Sequence, residues 1–388
     1  MRIIGLISGT SHDGIDGVLA EFDSMDDVLR AKIIKSAEKQ YDPKTRERIL
    51  AALPPNQVAL EEVCKLDTQI GKEFAELASE LSQSASPDLV VSHGQTVYHW
   101  VEGDKAHGTL QLGQPAWISE STGAPVLFDL RSSDIALGGQ GAPIVPILDL
   151  LVLNESESCV GSLNLGGIAN ITVIRNGDIV AAFDTGPASA LIDAAVLKYS
   201  LHPKGYDVGG EIAARGKIST ELLAVLLAED YYQLKPPKST GKELFHLGYL
   251  NHALDVAAAD LSPEDVLATL TELTAQTVSD ALQQHEVKTL VVGGGGANNK
   301  TLMDAIIRKT ALDPRPFGDY GVPGDLKEAF AMALIGWLSL NNLPATLPRT
   351  TGASAPAVLG AIAPGETGFP EVRSSGVMPK KLVIETIG

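Results

Sequence analysis

The stretch Gly5-Leu6-Ile7-Ser8-Gly9-Thr10-Ser11-His12-Asp13-Gly14-Ile15-Asp16 joins an apolar strand to a turn of small, hydroxylated and acidic residues. Glycines let backbone N–H groups approach a polyphosphate, and Ser and Thr hydroxyls can donate to its oxygens. An aspartate can hold Mg2+ directly or through water. These features favour phosphate binding, but a tight β-hairpin turn uses the same residue types, so the stretch alone leaves both interpretations open.

The length and charge of the chain narrow the class of protein. With 388 residues, two domains or more are expected. The formal charge of -18 and the pI near 4.8 disfavour a nucleic-acid or anionic-membrane surface, which would need a basic patch. Neither a secretory signal nor a membrane-spanning apolar run is recognised, so we expect a soluble, cytoplasmic protein. Cys64 and Cys159 are the only cysteines, which supports neither a disulfide framework nor a cysteine zinc site.

The chain repeats one pattern of elements. A strand, a glycine turn, further strands and then helices occur in the opening segment and again in the second half. The predicted strands are 2–8, 15–22, 31–36 and 88–92 in the first copy and 160–165, 169–174 and 179–183 in the second, with helices over 43–83 and 188–199. This repetition predicts an α/β fold of two duplicated lobes that face each other across a cleft.

Asp184 stands at the carboxyl end of strand 179–183, where open α/β sheets place their ligands. The residues Thr185-Gly186-Pro187 then open a helix. Asp184 could therefore act in the chemistry or simply cap that helix.

A third glycine turn, Gly293-Gly294-Gly295-Gly296-Ala297-Asn298-Asn299, follows a predicted strand and precedes a helix. It could bind a nucleotide or merely connect the two elements. The common nucleotide motifs are missing, because Gly241-Lys242 is followed by Glu243 and Asn299 occupies the last position of the G-x-G-x-x-G pattern.

Taken together, these stretches resemble the 1,6-anhydro-N-acetylmuramic acid kinase family of the sugar kinase, Hsp70 and actin superfamily. Beside the opening motif and Gly294-Gly295-Gly296-Ala297, the blocks that carry the resemblance are Ser92-His93-Gly94-Gln95-Thr96, Leu110-Gln111-Leu112-Gly113-Gln114-Pro115, Asp129-Leu130-Arg131-Ser132-Ser133-Asp134-Ile135-Ala136, Gly138-Gly139-Gln140-Gly141-Ala142-Pro143, Asn164-Leu165-Gly166-Gly167-Ile168-Ala169-Asn170, Phe183-Asp184-Thr185-Gly186-Pro187, Pro237-Lys238-Ser239-Thr240-Gly241 and Thr351-Gly352-Ala353. The chain departs from the family's usual residues at Ser133, Ser189, Lys242 and Gly293.

The resemblance implies two duplicated actin- and hexokinase-like lobes of the ribonuclease H-like class with a cleft between them. We expect an N-terminal lobe, 1–132 with about 365–388, that contacts sugar and phosphate. We expect a C-terminal lobe, 133–364, that binds nucleotide and carries the catalytic aspartate.

The resemblance also implies roles for individual residues. The catalytic residues would be Asp184, as the base, and Glu328, in the sugar site. The nucleotide-binding residues would be Gly9, Thr10, Ser11, His12, Asp13, Gly14, Ile15, Asp16, Gly166, Gly167, Asn170, Gly294, Gly295 and Gly296, with Asp13 or Asp16 as Mg2+ ligands. The substrate-binding residues would be Ser92, His93, Gln95, Thr96 and Arg131.

Simpler interpretations stand beside three of these roles. Glu328 could be a solvated glutamate on a helix predicted over 326–340. Arg131 suits the lactyl carboxylate of muramic acid, but it could form a surface ion pair with Asp129 or Asp134. His93 could be a buried histidine whose hydrogen bonds are satisfied at the end of a strand.

The activity implied by the resemblance is ATP- and Mg2+-dependent opening and phosphorylation of 1,6-anhydro-N-acetylmuramic acid in peptidoglycan recycling. The expected partners are ATP and the small anhydro sugar, and neither nucleic acid nor membrane is expected. Whether the chain forms a homodimer is left open. Two alternatives remain: a kinase of another 1,6-anhydro sugar such as levoglucosan, or an actin- or Hsp70-like ATP-gated binding protein.

Overall fold

The computed structural model describes residues 1–103, 105–154, 158–241, 244–373 and 376–385. Lys242, one of the four departures named above, lies outside these ranges. The chain forms two compact units, the first made of Met1–Glu155 with Tyr320–Gly388 and the second of Ser156–Asp319.

Strands and helices alternate along both units. The strands are β1 (Arg2–Ser8), β2 (Gly14–Met25), β3 (Val28–Gln40), β4 (Leu89–Glu102), β5 (Lys105–Leu112), β6 (Val126–Phe128), β7 (Val160–Leu165), β8 (Ile168–Arg175), β9 (Asp178–Pro187), β10 (Thr289–Gly293), β11 (Arg315–Pro316), β12 (Ala361–Ala363) and β13 (Lys381–Glu385). The helices are α1 (Pro43–Ala52), α2 (Leu60–Ser82), α3 (Pro115–Thr122), α4 (Ser132–Ala136), α5 (Pro146–Leu153), α6 (Ser189–Tyr199), α7 (Thr220–Leu227), α8 (Leu247–Ala257), α9 (Pro263–Gln284), α10 (Lys300–Thr310), α11 (Lys327–Leu340) and α12 (Pro348–Thr351). Short 3-10 helices occupy Val208–Gly210, Ala213–Arg215, Asp230–Gln233, Gly295–Asn298 and Phe317–Tyr320.

The first unit is built on a sheet with the strand order β12-β6-β4-β1-β2-β3-β13, with β5 paired to β4. The strands β1, β2 and β3 are antiparallel neighbours, whereas β4 is parallel to β1 and β6 is parallel to β4. The central strand β1 is almost entirely apolar because helices cover both of its faces. On one face α11 approaches so closely that a Cβ on Gly5 would lie 2.1 Å from the carbonyl oxygen of Ala329.

The second unit repeats this topology with the order β11-β10-β7-β8-β9. Here β7, β8 and β9 are antiparallel neighbours, β10 is parallel to β7, and β11 is parallel to β10. Both sheets therefore contain the sequential order 3-2-1-4-5 with the same strand directions. This identity confirms the predicted α/β class and the duplicated, ribonuclease H-like plan.

Apolar side chains of α9 and α10 cover one face of the second sheet. Leu163 and Ile171 from the sheet form one cluster with Val278 and Ile306 from the helices. Ser262 caps α9 by accepting a hydrogen bond from the backbone N–H of Asp265, and Pro263 occupies the first turn.

The bounds of the units differ from those expected from the sequence, 1–132 with 365–388 and 133–364. The helix α5 packs against β13, and α11 packs on β1 and β2, so both helices belong to the first unit. Among the described residues, none of the helices combines the length and apolar character needed to cross a membrane.

Candidate active site

The first glycine turn connects the antiparallel strands β1 and β2, so it is a hairpin turn and a candidate phosphate site at once. Thr10 and Ser11 are exposed, and a Cβ on Gly9 would meet nothing within 4 Å. The Ser8 hydroxyl lies 2.7 Å from the Gly14 carbonyl oxygen and from the Gln95 side-chain oxygen. The hydroxyls and backbone of the turn are therefore exposed to solvent, while hydrogen bonds of Ser8 hold the end of β1 in place.

The block Ser92 to Thr96 lies within β4, not after the strand as predicted, because β4 continues to Glu102 along its partner β5. Gln95 is buried, and its amide nitrogen lies 3.3 Å from the Gly9 carbonyl oxygen. Ser92 is also buried, whereas Thr96 is half-buried and accepts a hydrogen bond from Gln111. The geometry gives Gln95 a role in supporting the first glycine turn, and contact of these residues with substrate stays a prediction.

Asp16 on β2 lies in a cluster of carboxylates. Burial raises its pKa, as do the charges of Glu38, Glu328, Asp13 and Asp325, to about 7 from an ordinary 3.8. Ser11 donates a hydrogen bond to the Asp13 carboxylate. Such a cluster stabilises a nearby cation, because the cation relieves the repulsion between the carboxylates.

Arg131 has two of its nitrogens held by the protein. Its Nε donates to His93 Nε2 at 3.0 Å, and its Nη1 donates to the Gly141 carbonyl oxygen at 2.7 Å. Among the described residues, Nη2 has no acceptor, and no ion pair joins Arg131 to Asp129 or Asp134, whose carboxylates accept from other groups. The surface ion pair considered from the sequence is therefore absent, and one edge of a fixed guanidinium is available to a ligand.

Asp134 supports the contact between Arg131 and Gly141. Its side chain is fully buried and accepts hydrogen bonds from the Gly141 backbone N–H at 2.8 Å and the Thr351 hydroxyl at 2.7 Å. Burial lowers the pKa of Arg131 to about 10, while the charges of Glu328 and Asp134 act in the opposite direction. The guanidinium therefore remains charged at neutral pH.

His93 is buried, and both of its ring nitrogens have protein partners. Because Nε2 accepts from Arg131, the ring proton must be on Nδ1, which donates to the Gly94 carbonyl oxygen at 3.0 Å. Burial and the charge of Arg131 lower the pKa of His93 to about 3, so the ring is neutral. These contacts fit the simpler interpretation of a satisfied histidine, which here orients Arg131.

Glu328 lies in the first turn of α11 and is half-buried. It is close enough to Asp16 and Arg131 for its charge to raise the pKa of both. The half-buried position and these charge effects favour a place in the sugar site over a fully solvated helix face, and the role itself stays a prediction.

In the second unit, Asp184 lies inside β9, since this strand continues to Pro187. A register shift leaves Thr185 as an extra residue between Asp184, which pairs with Asn170, and Gly186, which pairs with Ala169. The following helix α6 begins at Ser189 without a side-chain cap. The alternative that Asp184 caps this helix is therefore wrong.

The segment 236–240 holds Asp184 on two sides. The Thr240 backbone N–H donates to Asp184 Oδ2 at 2.9 Å, and the Asp184 backbone N–H donates to the Lys238 carbonyl oxygen at 3.1 Å. The Tyr231 hydroxyl donates to the Asp184 carbonyl oxygen at 2.7 Å. These contacts orient both the carboxylate and the backbone of Asp184.

Lys238 adds a positive charge beside this carboxylate. Burial lowers the pKa of the Lys238 ammonium group, and the charge of Asp184 acts in the opposite direction. The ammonium nitrogen lies 4.5 Å from the centre of the Tyr231 ring and 3.1 Å from the Tyr231 carbonyl oxygen.

Asp184 belongs to a polar row that crosses the second sheet. Asn164 on β7 pairs with Asn170 on β8, which pairs with Asp184 on β9. Their neighbours Leu163 and Phe183 belong to the apolar cluster under the sheet, so the three polar side chains point to the opposite face. The row ends near the Gly166-Gly167 turn, whose carbonyl oxygens accept the first backbone N–H groups of α6.

The third glycine turn lies directly beside this row. Gly294 has a φ of +84°, and a Cβ there would lie 2.6 Å from Asn164 Oδ1 and 2.8 Å from the Leu165 carbonyl oxygen. A Cβ on Gly295 would meet nothing within 4 Å. The turn also serves as the connection to α10, which Asn299 caps by accepting from the Leu302 backbone N–H at 3.0 Å.

Several supporting residues were not assigned a role from the sequence. Lys238 and Thr240 stand in a block that carried the resemblance, which was the available signal. Asp134 and Gly141 also stand in such blocks. Tyr231 gave no signal of its role, because its partner lies 47 residues away along the chain.

Comparison with known proteins places these features in one family. The family model described as "Anhydro-N-acetylmuramic acid kinase" matches residues 1–365. A protein of that name from Streptomyces avermitilis is 47% identical over 99% of this chain and 100% of its own length, and one from Rhodococcus erythropolis is 45% identical over 100% of both. Among solved structures, component A of the Acidaminococcus fermentans (R)-2-hydroxyglutaryl-CoA dehydratase aligns over 86% of this chain and 96% of its own chain. The TM-score is 0.44 and the sequence identity is 9%, so this similarity is too distant to carry an argument. The family match and the full-length relatives show that the chain belongs to the anhydro-N-acetylmuramic acid kinase family.

Proposed function

We propose that the chain uses ATP to open the 1,6-anhydro ring of 1,6-anhydro-N-acetylmuramic acid by hydrolysis and to phosphorylate the sugar at O6, with Asp184 as the base. The product is N-acetylmuramic acid 6-phosphate, an intermediate of peptidoglycan recycling. The observation that carries the activity is the family match over residues 1–365. The oriented carboxylate of Asp184 supports the role of this residue.

The chemistry needs one base and one phosphoryl acceptor. The Asp184 carboxylate takes a proton from water while the water oxygen attacks C1 of the sugar. The C1–O6 bond breaks, and O6 bonds to the γ-phosphorus of ATP as ADP leaves. An ordinary glycosidase protonates this leaving oxygen with a second carboxylic acid, but here the γ-phosphoryl group receives the electron pair. A second acid is therefore not required.

Groups of the first unit support recognition of the acidic sugar. The Nη2 edge of Arg131 suits the lactyl carboxylate, because planar guanidinium and carboxylate groups form paired, charge-assisted hydrogen bonds. Glu328, whose charge lies near Arg131, would accept a hydrogen bond from a sugar hydroxyl or from the attacking water. His93 would act indirectly by orienting Arg131.

Three glycine turns are proposed to contact ATP. Gly9 to Asp16 would hold the phosphates, as would Gly166, Gly167 and Asn170, and Gly294 to Gly296 would lie at the adenosine. Exposed Thr10 and Ser11 hydroxyls and the unobstructed Gly9 support the first contact.

Asp13 and Asp16 are proposed as the residues that hold Mg2+. The donor set fits, because burial and the repulsion of neighbouring carboxylates raise the pKa of Asp16 to about 7, and a divalent cation would offset that repulsion. Among the described residues, no group of three or more side chains is arranged as a complete metal site. Mg2+ commonly uses only one or two protein carboxylates together with water and phosphate oxygens. When bound, the ion would neutralise charge on the phosphates. Because the reaction consumes ATP, we also propose a cytoplasmic location.

Product analysis in oxygen-18 water tests the mechanism. We expect the label at C1 of the sugar phosphate and none in the phosphoryl group, because water attacks carbon and O6 receives the phosphate. ADP release should also depend on the sugar and be slow without it. Label in free inorganic phosphate, or release of ADP at the full rate without sugar, would contradict the proposal.

An ADP-release panel tests the substrate. It would compare 1,6-anhydro-N-acetylmuramic acid with levoglucosan and with open-ring N-acetylmuramic acid. We expect the highest kcat/KM for the first compound. A preference for levoglucosan would instead assign the chain to another 1,6-anhydro sugar.

A further inference from the structure

A buried ion pair lies directly beside Glu328. Lys327 Nζ is 2.6 Å from Asp149 Oδ1, and the two side chains are only 2% and 4% exposed. Lys327 is the first residue of α11, and Asp149 belongs to α5. The pair therefore connects two helices of the first unit at the turn that carries Glu328.

The helix dipole does not explain this lysine. A positive side chain at the first position of a helix faces the positive end of the helix dipole, where an acidic residue would be favourable. Leu326 precedes it and has no side chain that can accept a hydrogen bond from the first turn.

Burial makes the lysine still less favourable for stability alone. Removal of both charges from water is costly, and apolar residues of similar volume often stabilise a protein as well or better. A role other than stability is therefore worth testing for this pair.

The location of the pair indicates that role. Beyond Glu328, α11 runs over β1 and β2, with buried residues at nearly every position. The charge of Glu328 is close to both Arg131 and Asp16, so a small shift of the first turn of α11 changes the distances from Glu328 to each of them. A directional contact at Lys327 fixes that turn in a way that apolar packing does not.

We propose that the Lys327–Asp149 ion pair is a positioning element for catalysis, which fixes the first turn of α11 and thereby the carboxylate of Glu328. The proposal rests on the role given to Glu328 in the proposed function. It assigns no contact with the sugar or ATP to Lys327 or Asp149 themselves.

The test replaces both charges at once with the double variant Lys327→Met/Asp149→Leu, because removal of only one would leave the other charge buried and could prevent folding. We expect a melting temperature equal to or above that of the parent. We expect kcat to fall roughly 10- to 100-fold, as for a misplaced catalytic group, with KM for ATP within about twofold of the parent value. Lys327→Arg, which keeps an ion pair, should retain most of kcat.

Two further variants complete the design. Lys309→Met/Glu272→Leu removes the ion pair of Glu272 with Lys309 at 2.7 Å, and with it the contact of Glu272 with Arg308, in the second unit, and should leave kcat unchanged. In a Glu328→Gln background, the Lys327→Met/Asp149→Leu change should cause no further loss of kcat, because the pair acts through Glu328.

Each contrary result has a distinct meaning. A folded Lys327→Met/Asp149→Leu variant with the kcat of the parent overturns the positioning role, as does a loss that multiplies with that of Glu328→Gln. If Glu328→Gln itself retains full kcat, the role of Glu328 in the proposed function fails, and the positioning role fails with it. A parent without sugar-dependent ADP release refutes the proposed function directly.

Discussion

Replacement of Arg131 by methionine should change substrate preference more than it changes activity in general. Methionine keeps the apolar length of the side chain but removes the guanidinium. The variant would be assayed with 1,6-anhydro-N-acetylmuramic acid and with 1,6-anhydro-N-acetylglucosamine, which lacks the lactyl carboxylate. The measured quantity is the ratio of kcat/KM for the acidic sugar to kcat/KM for the neutral sugar.

The structure separates two consequences of this substitution. His93 Nε2 and the Gly141 carbonyl oxygen both lose a donor, and this disturbance reduces activity with either sugar. Loss of the Nη2 edge affects only the sugar that carries a carboxylate. Hydrogen bonds to a charged group contribute about 1.5–3 kcal/mol, so the ratio should fall roughly 10- to 150-fold.

A matched control is available in the same unit. Arg46→Met also removes an arginine charge, but the Nε of Arg46 donates to the His12 carbonyl oxygen at 3.0 Å. We expect this variant to leave the ratio unchanged, whatever its effect on overall activity. If Arg131→Met reduces kcat/KM equally for both sugars, Arg131 is a structural residue and the proposed carboxylate contact is refuted.

Three other outcomes are expected. Asp184→Asn should abolish turnover because it removes the base. ATP affinity, measured by calorimetry, should stay within a few-fold of the parent value because the amide keeps the shape of the side chain. Parallel loss of ATP binding would indicate a structural role. Gly294→Ala should lower the melting temperature, since it adds a Cβ at positive φ against Asn164, whereas Gly295→Ala has open space and should leave the melting temperature unchanged. Equal melting temperatures would show that the turn is not constrained as described. The pKa of His93 is about 3 in the folded protein and 6.5 in the unfolded chain. Between these pH values only the unfolded chain binds the proton. The free energy of unfolding should therefore fall by up to about 1.4 kcal/mol for each pH unit below 6.5. Denaturant titrations of the parent and His93→Gln at pH 5 to 8 should show this extra slope only in the parent, and identical slopes would contradict the assigned neutral ring.

The sequence predicted β1 to β4 and β7 to β10 but not the full length of each, and it did not predict β5, β6, β11, β12 or β13. Strands β1 and β7 agree with the predicted ranges because their apolar residues are continuous and bounded by glycine turns. Strand β4 extends ten residues beyond Ser92 because it pairs with β5, and this long-range pairing leaves no local signal. Strand β9 passes through Thr185-Gly186-Pro187 for the same reason, since its pairing with β8 overrides residues that favour a helix start.

The candidate site was predictable as residue types but not as contacts. The resemblance selected Arg131, His93 and Glu328 as members of a sugar site. It could not show that His93 holds Arg131 or that Glu328 is close to both Arg131 and Asp16, because these residues come from β4, the start of α4 and α11. Likewise, the backbone contacts of Asp184 come from a segment more than 50 residues away.

Duplication of the fold explains why two such different acidic groups occur at matching positions. In the first unit, Asp16 on β2 pairs with Glu38 on β3, so two carboxylates lie directly opposite each other, an arrangement that destabilises a sheet unless a cation is near. In the second unit the corresponding strands pair Asn170 with Asp184, which places a neutral amide beside the carboxylate. Asn170 adds no negative charge, and the charge of Asp184 acts on the pKa of the nearby Lys238 ammonium group. One topology has therefore placed two opposed carboxylates in one unit and, at the equivalent place in the other, a single carboxylate opposite a neutral amide.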